Sequence, residues 1–84
     1  MKLCTVRVEF TGDDYTDRFN TGNLQRFYMK MYELLSASQA DLKLEEQEEK
    51  MFLCAFTTLI SADKFAQEVK ARISQCDVTL RATY

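Results

Sequence analysis

The chain has 84 residues, 46% of them hydrophobic and 12% aromatic, with a formal net charge of −2. That is room for one small domain around one core, and it is too apolar for a disordered tail. The acidic balance excludes a general binder of the phosphate backbone, which would be basic. The absence of His removes the commonest general base and transition-metal ligand.

Lys2 to Phe10 alternates strictly, with Cys4, Val6, Val8 and Phe10 on one side and Leu3, Thr5, Arg7 and Glu9 on the other. This is a strand with one face on a core. Thr11 to Gly22 then reads as a loop with a glycine near each end, long enough to raise the question of function. Asn23 to about Ser38 is a helix whose buried face is Leu24, Phe27, Met31, Leu34 and Leu35. Thr21 or Asn23 is the expected cap. Asp41 to Gln47 alternates Leu42 and Leu44 against Lys43 and Glu45, an edge strand guarded by its charges. An acidic turn over Glu46 to Glu49 leads into Lys50 to Ile60, the longest apolar run in the chain.

That run is aromatic, β-branched or small, and apolar at odd and even positions alike, which suits a central strand covered on both faces. Phe52, Cys54 and Phe56 are expected to meet the helices. Met51, Leu53 and Ala55 then form an apolar stripe on the opposite face, where a second subunit is the expected cover. Ser61 is the expected cap of the next helix, with Asp63 in its first turn, a Lys64–Glu68 pair on the wet side, and Ala62, Phe65, Ala66, Val69 and Ile73 as its buried stripe. Cys76 to Tyr84 is the last strand, with Val78, Leu80 and Ala82 inward.

The order is therefore β-α-β-β-α-β in one domain over residues 1–84. Right-handed crossovers give an α+β fold: a four-stranded antiparallel sheet in order 4-1-3-2 with both helices on one face. At the level of topology this resembles the ferredoxin-like class, which hosts many unrelated functions. The alternating N-terminus lacks the apolar run of a signal peptide, and no stretch is long enough to span a membrane. The three cysteines follow neither a zinc nor a disulfide spacing. No cofactor, no membrane association and a cytoplasmic setting are expected.

Two acidic stretches stand out. Asp41 to Glu49 has five acids against Lys43 alone, and Thr11 to Gly22 has Asp13, Asp14 and Asp17 against Arg18 alone. Ferredoxin-like nucleases place a metal-binding Asp after the first strand, so by analogy Asp13, Asp14 and Asp17 are the candidate metal ligands of a phosphodiesterase. Solvated loop acids are the simpler reading. The RNA recognition motif shares the topology but needs exposed aromatics on a basic sheet face; the outward residues of the first strand are Thr5, Arg7 and Glu9, and a nucleic-acid partner is not expected. The preferred expectation is a non-enzymatic homodimeric interaction protein that inhibits or regulates a macromolecule with a basic surface, in the manner of phage-encoded nucleic-acid mimics. Glu45, Glu46, Glu48 and Glu49 would dock it, with Tyr15, Phe19, Tyr28 and Tyr32 as candidate aromatic anchors and Met51, Leu53 and Ala55 as the dimer or sheet-face contact.

Overall fold

The computed structural model describes residues 3–12 and 22–82. The elements are β1 (Cys4–Phe10), α1 (Asn23–Ala37), β2 (Leu42–Glu48), β3 (Met51–Phe56), α2 (Leu59–Arg72) and β4 (Cys76–Ala82). The four strands form one antiparallel sheet in the order β2-β3-β1-β4; counted from the β4 edge, this is 4-1-3-2.

The registers set the two faces. Val6 lies across from Cys54 and Leu80, and Val8 across from Phe52 and Val78. These residues share a face with Phe10 and Phe56, and both helices pack on it. Phe27 of α1 meets Phe10 and Phe52 at ring-centroid distances of 5.4 and 5.7 Å, while Phe65 of α2 meets Phe56 at 5.3 Å. Phe27, Met31, Leu34 and Leu35 of α1 and Ala62, Phe65, Ala66 and Val69 of α2 complete the core with Ile73. Leu24 is half-buried against its edge.

Several boundaries depart from the sequence reading. The apolar run Lys50 to Ile60 does not stay extended: β3 ends at Phe56 and α2 begins at Leu59. Thr58, not Ser61, is the cap, its Oγ1 accepting the Ser61 N–H at 3.2 Å and donating to the Ser61 Oγ at 3.0 Å. A β-branched Thr inside an apolar run looks like strand, but its hydroxyl satisfies an orphan helix N–H. Leu59 and Ile60 are consequently exposed. Asp63 falls past the first turn and accepts a hydrogen bond from the Gln67 side chain, and Glu68 pairs with Arg72 rather than Lys64. At α1 the cap is Gly22, with no side-chain cap bond. Thr21 and the Ala82 side chain lie outside the described residues.

The largest departure is in β2. Lys43 is an extra residue between the pairs Leu42↔Phe56 and Leu44↔Ala55, a β-bulge that reverses the phase of everything after it. Leu42 faces the helices, but Leu44 faces the other way and is exposed. Glu45 and Gln47 take the helix side, across from Cys54 and Phe52. The hairpin then closes through Glu49 and Lys50, with Lys50 at φ 65°.

Phe52 is fully buried, and Phe52→Ala should cost about 3–5 kcal/mol, a large part of the roughly 5–15 kcal/mol of a small domain. Lys50→Gly should do the opposite. It relieves a left-handed strain of about 1–2 kcal/mol, less about 0.5–1 kcal/mol of added chain entropy, so urea titration should show a small gain in stability with an unchanged slope.

Candidate functional site

The sheet face away from the helices carries three rows of side chains, read directly from the strand registers. One row is Leu44, Ala55, Thr5 and Arg81; the next is Glu46, Leu53, Arg7 and Thr79; the last is Glu48, Met51, Glu9 and Asp77. Glu48, Glu9 and Asp77 thus gather carboxylates in the row nearest the hairpin, Glu46 and Arg7 share the middle row, and Arg81 lies in the far one. Arg7 donates to the Glu9 carboxylate at 2.6 Å with both side chains about half exposed. A pair so open to water contributes about 0–1 kcal/mol, so it fixes geometry more than stability.

The apolar stripe is not bare. Ala55 is fully buried, and Met51 and Leu53 are half-buried. Leu53 is the apolar wall of a depression of about 430 Å³ that it shares with Thr5, Arg7, Thr79 and Arg81. No ring lies on this face among the described residues. Phe52 of β3 is turned into the core.

The acidic hairpin is held in place by α1. Tyr28 and Tyr32, one turn apart, stack at 6.5 Å and both lean edge-on against Phe52, at 5.9 and 5.8 Å. Their hydroxyls reach past the ring to the hairpin. Tyr28 Oη accepts the Lys50 N–H at 3.1 Å, and Tyr32 Oη donates to Gln47 Oε1 at 2.9 Å. The Lys50 carbonyl accepts the Phe10 N–H at 2.7 Å, so the turn is tied to α1 on one side and β1 on the other. The two tyrosines therefore serve as supports with a packed ring and a bonded tip, and Tyr32 keeps an exposed flank.

The candidate docking acids do not form one patch. Glu46 and Glu48 face outward, Glu45 lies on the helix side and Glu49 sits in the turn. Strand alternation divides them, and the bulge at Lys43 sets which of them face outward. Sequence reasoning passed over Glu9 and Asp77 as site residues because only the cross-strand register places them in one row with Glu48. Asp13, Asp14, Asp17, Tyr15 and Phe19 lie outside the described residues. Among the described residues no His, Cys, Asp and Glu group has the arrangement to hold a metal ion, and no helix is long and apolar enough to cross a membrane.

The cysteines are not paired. Cys54 lies across from Val6, whereas Cys4 lies across from Phe56, one inward row away; all three are free thiols. Burial, with a smaller push from the Glu45 carboxylate, raises the Cys54 thiol to about 12. Burial, followed by Asp77, also raises Cys76. Such thiols stay protonated and behave as small hydrophobes.

Compared with known proteins, the chain matches no family model, no curated protein and no solved structure.

A buried thiol with a raised pKa stabilises the fold fully below the unfolded value of about 9 and progressively less up to about 12. Denaturant midpoints should accordingly fall between pH 9 and 12, and the fall should be shallower in Cys54→Ala measured against its own neutral value. An equal slope in the variant would assign the alkaline loss to other groups. At neutral pH, Cys54 should react with a disulfide reagent only on unfolding.

Proposed function

We propose that this chain is a small acidic, non-enzymatic interaction protein of ferredoxin-like topology, a cytoplasmic homodimer that binds a macromolecule with a basic surface and regulates or inhibits it. Phage-encoded inhibitors that imitate nucleic acid by charge are the functional parallel. The observation that carries this reading is the row arrangement of the outer face. It sets Glu48 on β2 in one row with Glu9 and Asp77 on β1 and β4, and Glu46 in the next row, with a single close cation, Arg7, on Glu9 among the described residues. Carboxylates two residues apart on a strand repeat at about 7 Å, a regular negative surface suited to steering a basic partner.

The dimer rests on the same face. The depression beside Leu53 has arginines on its flank, and the β2 side of the face has carboxylates. A two-fold axis along the strands would lay β2 of one copy over β4 of the other. Met51, Leu53 and Ala55 would then lie near the centre of the interface in both copies at once.

Light scattering should show a dimer that Leu53→Lys dissociates; a monomer at high concentration would remove this part of the proposal. Capture from the native host followed by mass spectrometry identifies the partner. Glu46→Lys combined with Glu48→Lys should then weaken that partner's binding by at least about tenfold, roughly 1.4 kcal/mol, and the loss should shrink as salt rises past about 0.15 M. Undiminished binding at low salt contradicts docking through the acidic edge.

A further inference from the structure

We propose that the open edge of β2 receives an extended, basic segment of a partner protein as a fifth strand of the sheet. This rests on the acidic docking reading above and specifies the form of the partner.

Three features of the edge converge. First, among the described residues β2 is bonded only to β3, so its far side presents a row of backbone donors and acceptors, and every residue of the strand but Leu42 is exposed. Such an edge is a template for strand addition, in which main-chain bonds supply affinity and alternate side chains supply specificity. Second, the helix layer stops short of it. The tyrosines of α1 lean on Phe52 of β3, which leaves an open groove of about 410 Å³ between α1 and β2, with Tyr32, Leu35 and Leu42 as its apolar part and Gln39, Lys43 and Glu45 at its polar rim. An added strand would turn every second side chain toward this groove, where apolar residues fit. Third, the alternate side chains would lie beside Glu46 and Glu48 on the outer face, where lysine or arginine fits.

The same charges decide against other occupants. A second copy's β2 would set carboxylate against carboxylate along the edge, and like charges on adjacent strands are destabilising. Charges and a bulge are also how edge strands avoid aggregation. That protection acts against neutral and acidic strands and reverses for a basic one. The bulge at Lys43 confines the regular run to Leu44–Glu48, so the added segment is short. The opposite edge, β4, carries Asp77 and Arg81 and selects neither charge.

The test uses a fluorescent, end-blocked peptide of about seven residues alternating lysine and valine, titrated with the intact protein at low salt. Two twins carry N-methyl groups on the odd or on the even residues. A strand points its N–H groups alternately to its two edges, and only one edge can pair with β2. The expected result is that the parent peptide binds, a glutamate–valine peptide does not, and one twin loses about tenfold or more in affinity while the other binds like the parent. Glu46→Lys with Glu48→Lys, folded by circular dichroism, should lose binding of the parent. If both twins bind like the parent and binding still depends on Glu46 and Glu48, strand addition is overturned and acidic docking stands. If the parent peptide fails to bind at low salt, strand addition is overturned and acidic docking loses its support with it.

Discussion

The contact on which the rest of the structure depends is the Phe52 ring under α1. Phe27, Tyr28 and Tyr32 all touch it, and it is fully buried. Aromatic pairs of this kind add about 0.5–1.5 kcal/mol each beyond the area they bury. The consequence is positional as well as energetic. Once the rings are seated, the tyrosine hydroxyls fall within reach of the hairpin at Lys50 and Gln47. The β2–β3 turn is then held in a conformation that Lys50 would otherwise avoid. Packing in the core thereby determines where the acidic residues of β2 are presented.

Most of the architecture was legible because the hydrophobic period changes cleanly along the chain. Val6, Val8 and Phe10 repeat every second residue, and Phe27, Met31, Leu34 and Leu35 repeat as a helix does; both sets are buried. What escaped the sequence is what periodicity does not encode. Leu42-Lys43-Leu44-Glu45 is a faultless alternation as text, yet one bulged residue sends Leu44 and Glu45 to faces opposite those expected. Thr58 reads as strand by propensity and acts as a cap through its hydroxyl. Of the candidate site, the acids of β2 were legible from composition alone. The alignment of Glu48 with Glu9 and Asp77 was not, because it depends on all four strands being in register.

The bulge also shapes what the edge can do. Without it, Glu46 and Glu48 would project toward the helix layer and Glu45 and Gln47 outward. With it, Gln47 comes under Tyr32 and the charged pair is left on the open face. A defect in the ladder thus decides which acids face outward, Glu46 and Glu48 rather than Glu45, and does so beside the groove between α1 and β2. Exposed charges of this kind add little to folding stability. Their physical effect is on association rate and on the choice of partner.

Two tyrosine hydroxyls of α1 tie down the acidic hairpin. The most direct measurement is amide hydrogen exchange along Leu42–Met51 in the wild type and in Tyr28→Phe combined with Tyr32→Phe, which keeps both rings on Phe52. The double variant should show faster exchange confined to the hairpin, with Lys50 most affected, while the β1 and α2 amides keep their protection. Unchanged exchange at Lys50, or an equal acceleration through the whole domain, would contradict the tie to α1.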